Sequence, residues 1–178
     1  MPLVLLLAAL LVFSGFGYVS AKAFLTQPQA LSLAFPAGGI QRKTVFLTPE
    51  QIGKIEALAR AKLDTRVISY YVSRGPAGVQ GVAFFDRRVV RTLPIVYMAV
   101  LRPSGAIERV EVMDFEEPDQ YLPPSKWLAL FRGKPLSDDL AVGKSVPHIT
   151  GASLTSQAMN DGLRLIMATF QVAVKGTL

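Results

Sequence analysis

The stretch IVYMAVLRPSGAIERVEVMDF, residues 95–115, decides the fold. Two β-branched and aromatic runs, residues 95–101 and 109–115, flank the turn-forming Arg102-Pro103-Ser104-Gly105. So short a connection leaves no room for a crossover helix, and the two strands are therefore antiparallel neighbours. In the second run Val110 and Val112 alternate with Arg109 and Glu111, which predicts one face wetter than the other. Further strands are expected upstream over residues 66–72 and 81–85, separated by Arg74-Gly75-Pro76-Ala77-Gly78.

Helices are expected on both sides of this strand-rich middle. Thr48-Pro49-Glu50-Gln51 reads as a helix start, with Thr48 as cap, Pro49 in the first turn and Gln51 completing a capping box. The helix continues to about residue 63, with Ile52, Ile55, Leu58, Ala59 and Leu63 at helical spacing and Lys54, Arg60 and Lys62 mostly outward. After Pro123-Pro124 a short helix is expected over residues 126–131. The last element places Met159, Leu163, Ile166, Phe170 and Val174 on one face and Gln157, Asn160, Asp161, Arg164 and Gln171 on the other, an amphipathic helix packing on the sheet. The fold class that follows is α+β: an antiparallel sheet with flanking helices, preceded by an N-terminal hydrophobic helix.

That N-terminal segment, residues 1–21, contains no charged side chain. As a helix it is about 31 Å long at about 1.5 Å per residue, just enough to span a bilayer. Ala21-Lys22-Ala23 also has the small-x-small pattern of a signal-peptide cleavage site, so residues 1–23 are either a membrane anchor or a signal peptide. Both deliver the domain across a membrane. Residues 24–39, with Gln, Pro, Ser and Gly among scattered apolar residues, read as a linker, and the folded domain is expected over residues 40–178.

With 178 residues, 51% of them hydrophobic and 18% charged, the chain supports one good core. The formal net charge is +6, but the cations are dispersed and form no basic block, which argues against nucleic acid. There is no cysteine, so disulfides, thiolate zinc sites, iron-sulfur clusters and thioether-linked haem are excluded. The one histidine, His148, excludes a histidine-rich metal site. A redox role must therefore use a cofactor held without cysteine.

Chemistry concentrates just before the last helix, in Thr150-Gly151-Ala152-Ser153-Leu154-Thr155-Ser156, where four hydroxyls surround a Gly-Ala pair. A helix start offers unpaired N–H groups and the positive end of a dipole, and small residues let an anion approach the backbone. Ordinary capping by Ser and Thr uses the same residues, so spacing alone leaves both readings open.

The segment resembles the motif of the FMN-binding domain family, which includes the C subunit of sodium-pumping NADH:quinone reductase and the G subunit of Rnf electron-transport complexes. Family members open their final helix with Ser/Thr-Gly-Ala-Thr-x-Thr/Ser, whose Gly-Ala-Thr threonine is esterified through the FMN phosphate. Ser153 stands at that position. Residues 41–48, 81–85 and 127–134 are similar to family segments in the same order, so the likeness covers about residues 40–174. It implies an electron-transfer flavoprotein at the cell membrane, its domain on the extracytoplasmic (periplasmic) side, with FMN attached by a flavin transferase and partners that are subunits of a membrane redox complex. The residues it points to are Ser153, Thr150, Gly151, Ala152 and Thr155. His148, beside the motif, is either a further contact to phosphate or flavin or an exposed loop histidine. FMN is held covalently or without a bond.

Val146-Pro147 stand where family members often carry an acidic residue. That departure motivates the alternative of a structural or assembly subunit with a degenerate, flavin-free site. A flavin-dependent reductase of a small molecule is disfavoured by the lack of an acid-base pair near the motif. Arg132 and Lys134 are either phosphate-directed or solvated cations, and Trp127 and Tyr121 either stack on the ring or serve as core anchors. Asp114, Glu116, Glu117 and Asp119 lack the pattern of a calcium loop and read, like Asp138-Asp139, as solvated turns.

Overall fold

A computed structural model describes residues 24–178. The expected N-terminal hydrophobic helix lies outside the described residues. Five strands, β1 (Gly39–Phe46), β2 (Val67–Gly75), β3 (Gly78–Val89), β4 (Pro94–Leu101) and β5 (Ile107–Phe115), form one antiparallel sheet in sequence order. Four helices accompany it: α1 (Gln27–Ala34), α2 (Pro49–Ala59), α3 (Ser125–Leu128) and α4 (Ser153–Thr169), the last running into a π-turn over Phe170–Val174.

β4 is apolar at every position, and seven of its eight residues are buried, because both sheet faces are covered there. Tyr97, Ala99 and Leu101 meet α4 through Met159, Leu163 and Ile166, while Met98 and Val100 meet Ala30, Leu31 and Phe35 of the α1 segment. α2 packs on the far side of α4 through Ile55 and Ala59 against Leu165 and Ala168. α4 is thus covered on two sides. For that reason Asn160 and Arg164, which periodicity alone assigns to the polar face, are buried.

Residues 24–39 hold a helix where a linker was expected. At the start of α1 the Gln29 side chain reaches back to accept the Thr26 N–H at 2.8 Å, with a proline in the first turn, so a Gln/Pro/Ser composition here encodes a helix start. α2 begins at the expected Thr48 box but ends at Ala59, four residues before the expected end, because Arg60 adopts φ 56° and its N–H closes on Glu56 O. β1, also unexpected, is an edge strand whose Gln41 and Arg42 are exposed, so it lacks the apolar alternation that reveals a half-buried strand.

β2 and β3 pair from Gly75↔Gly78 only as far as Tyr70↔Phe84. β2 then stays with β1 to Val67, and β3 with β4 to Val89, so the sheet splays and opens a cleft of about 480 Å³. Across the end of that splay Tyr97 donates to Asp86 Oδ2 at 2.6 Å, and Arg88 Nε donates to the same oxygen at 2.8 Å. The burial of Tyr97 and the charge of Asp86 push its phenol well above the ordinary tyrosine range.

Candidate functional site

Three segments meet at the N-terminus of α4: the turn joining β3 to β4, the chain that leaves β5, and residues 149–155. The first is shaped by Glu117. Its Oε1 accepts the backbone N–H groups of Arg91, Thr92 and Leu93 at 3.2, 2.8 and 3.0 Å. These bonds, above all those from Thr92 and Leu93, hold the Glu117 carboxyl below its ordinary pKa. Glu117 was expected in a solvated turn; it is instead buried and organises a loop, which its acidic neighbours hide in the sequence. A folded pKa below the unfolded one means that the stabilisation is present above the unfolded value and is lost as pH falls through the folded one. We therefore expect the advantage of wild type over Glu117→Gln in urea denaturation to be full at neutral pH and to shrink as pH drops below about 4.3, the ordinary glutamate pKa.

The Arg91 guanidinium carbon lies 5.0 Å from the centroid of the Tyr121 ring. Tyr121 therefore supports an arginine.

The segment before α4 is locked from outside and within. Trp127 Nε1 donates to Pro147 O at 2.7 Å and its ring meets Phe131 edge-on, which makes it an anchor for the motif. Val146 is buried, so the apolar residue where the family often carries an acid has a packing role here. Ser156 Oγ accepts the Ile149 N–H at 2.8 Å and donates to Ala152 O at 3.1 Å, closing the loop around Gly151. Gly151 has φ +76°, a conformation that penalises any side chain.

Ala152 is the N-cap of α4 and offers no side-chain cap. Among the described residues, the N–H groups of Ser153, Leu154 and Thr155 have no backbone partner. The motif hydroxyls divide into distinct roles. Ser156 is spent on the loop, and Thr150 is exposed. Ser153 is exposed at the first position of α4, with no side-chain hydrogen bond among the described residues. Thr155 is fully buried, and its Oγ1 has no hydrogen-bond partner.

A cavity of about 350 Å³ brings together Arg91, Tyr121, Gly151, Ala152, Ser153, Leu154 and Thr155. Thr150 and His148 lie outside its lining, and His148 is exposed. Arg132 pairs with Glu108 at 2.8 Å, and Lys134 donates to Ser145 O at 2.9 Å, so neither cation faces the cavity. The cation that does is Arg91, a turn residue that nothing in its local sequence distinguishes. The β2–β3 cleft is larger, and another of about 370 Å³ lies between α1, β5 and α3, but neither includes a motif residue. The smaller cavity is the candidate site because it combines an orphaned buried hydroxyl, open helix N–H groups and a cation. Such a set fits a phosphate, with a nucleophilic hydroxyl at its mouth.

No protein-family model matches the chain, and no curated protein matches it in sequence. In structure it is similar to NqrC of Shewanella oneidensis, with a TM-score of 0.52 and 16% identity over 84% of this chain and 85% of that one. The likeness shows a shared fold.

Proposed function

We propose that this chain is the FMN-carrying electron-transfer subunit of a membrane redox complex, with its domain on the extracytoplasmic side and the FMN phosphate esterified to Ser153. The observation that carries the reading is the pairing, in one cavity of an NqrC-like fold, of the unbonded Ser153 hydroxyl with the orphaned Thr155 hydroxyl. Ser153 supplies the attachment oxygen. Thr155 Oγ1 and the open N–H groups of the first α4 turn receive the phosphate oxygens, and Gly151 keeps a side chain away from them. When bound, the isoalloxazine ring supplies the one- or two-electron chemistry.

Attachment needs a donor whose phosphate already bears a leaving group, the class of a flavin dinucleotide. The Ser153 Oγ–P bond forms as the bond from that phosphorus to the departing nucleoside monophosphate breaks, and the hydroxyl proton passes to a base of the transferase. A covalent link suits a compartment where free FMN is scarce, since bound but unlinked flavin dissociates by mass action.

The test is coexpression with a flavin transferase followed by a denaturing gel. Wild type is expected to keep flavin fluorescence through denaturation, and Ser153→Ala to lose essentially all of it. Fluorescence retained by Ser153→Ala moves the bond to Thr155 or Thr150. A dark wild-type band, with no flavin in the native protein, supports the flavin-free assembly subunit instead.

A further inference from the structure

We propose that Arg91 is the specificity residue of this site, selecting flavins that bear a phosphate. The proposal rests on the FMN reading above and adds a group outside the motif. Arg91 is the one cation in the cavity lining that it shares with Ser153 and Thr155. A phosphate enters carrying close to two negative charges, and the helix N-terminus offers only about half a positive charge. A guanidinium in the same lining supplies the rest and presents a planar donor fork to the phosphate oxygens.

The surroundings position Arg91 for that task, and the carboxylate whose charge it feels, Glu117, is already engaged by three backbone N–H groups. Its backbone N–H is fixed by Glu117 Oε1, which is engaged at the same time by Thr92 and Leu93. Its side chain lies on the Tyr121 ring, whose face attracts the cation and leaves the N–H groups unspent. Among the described residues the Arg91 guanidinium makes no salt bridge, whereas Arg88 is held by Asp64 and Asp86, and Arg102 and Arg132 by Glu108. The buried Thr155 hydroxyl, unpartnered within the protein, independently marks the same cavity as one completed by a ligand.

The experiment uses the full chain in detergent without a flavin transferase, so that no bond forms, and compares the dissociation constants of FMN and riboflavin. For wild type we expect FMN to bind more tightly than riboflavin, by a margin that falls as salt rises. Arg91→Gln is expected to weaken FMN at least tenfold while changing riboflavin less than twofold, and Arg91→Lys to regain part of the loss. Because Arg91 is exposed, both variants should keep the wild-type unfolding midpoint. An equal loss for the two flavins, or FMN binding unchanged in Arg91→Gln, overturns the proposal while leaving the flavin site standing. A wild type that binds FMN no better than riboflavin also overturns it. Failure of wild type to bind either flavin, together with no covalent flavin after coexpression with the transferase, removes the reading on which it rests.

Discussion

Gly162→Ala is expected to destabilise the domain by about 3 kcal/mol or more, reversing the usual effect of that change in a helix. Glycine inside a helix ordinarily costs about 0.5–1 kcal/mol relative to alanine, so the substitution normally helps. Here a β-carbon at position 162 meets Tyr97 Oη at 2.0 Å, Asp86 Oδ2 at 2.7 Å and Arg88 Nε at 3.1 Å. Tyr97 is fully buried in the interior strand β4, so it cannot swing away without breaking its bond to Asp86 and opening the core. Urea denaturation checks the loss, and a double mutant checks its cause. Tyr97→Phe removes the clashing oxygen, so Gly162→Ala should be markedly less harmful in that background. Equal effects in both backgrounds would contradict the steric account.

Arg164→Met is expected to lower stability by about 2–4 kcal/mol, since buried carbonyls left without donors cost about 1–3 kcal/mol each and part of that is recovered by water and by removing the buried charge. The Arg164 side chain, buried in α4, donates to four carbonyls: Ala59 O at 2.7 Å, Leu58 O at 3.0 Å, Ser137 O at 2.6 Å and Leu140 O at 2.8 Å. Leu58 and Ala59 lie in the last turn of α2, where carbonyls lack helical partners, and the negative end of the α2 dipole lies there too. Burial draws the guanidinium pKa down but leaves it charged, so the positive charge stays inside at a desolvation cost that these carbonyls offset. Methionine fills the space of the stem and satisfies none of them. Against a typical domain stability of about 5–15 kcal/mol, that loss is large enough to read directly from the denaturation midpoint. A midpoint within error of wild type would show that the loop over residues 137–140 and the end of α2 are held by other means.

Both predictions concern α4, and both show how far periodicity reads a helix. Met159, Leu163, Ile166, Phe170 and Val174 were assigned to the core face and are buried. Arg164 and Asn160 were assigned to water because the pattern reveals one apolar stripe and says nothing of a second helix arriving on the other side. The strands were legible where both faces are covered, as in β4, and less so where charge interrupts them. β3 runs on through Asp86, Arg87 and Arg88 to Val89, beyond its expected end at residue 85, since its pairing with β4 continues regardless of polarity. The antiparallel pairing of the strands was legible from turn spacing, and the flanking helices from capping boxes and apolar periodicity.

The site was legible in part, for a local reason. A glycine, two small residues and several hydroxyls lie consecutively before α4, so a single window reveals that an anion can approach there. Arg91, Glu117 and Tyr121 come from two other segments and meet the motif only through the sheet. Sequence distance concealed them: Glu117 bonds Thr92 across 25 positions and sits among exposed acidic neighbours. Arg132 and Lys134 bond Glu108 and Ser145 O, and the cation in the cavity lining is Arg91.

These residues divide the work of the site. In the proposed function the motif would offer the attachment oxygen and the open backbone donors; Trp127 and Ser156 fix the loop that holds the motif, and Glu117 with Tyr121 sets the position of Arg91. The most direct test of the central claim is the mass of the peptide containing Ser153, taken from the protein purified out of its native membrane. An FMN-sized increment localised to Ser153 is the predicted result. A Ser153 peptide found only at its unmodified mass, with no flavin accompanying the subunit, would contradict it.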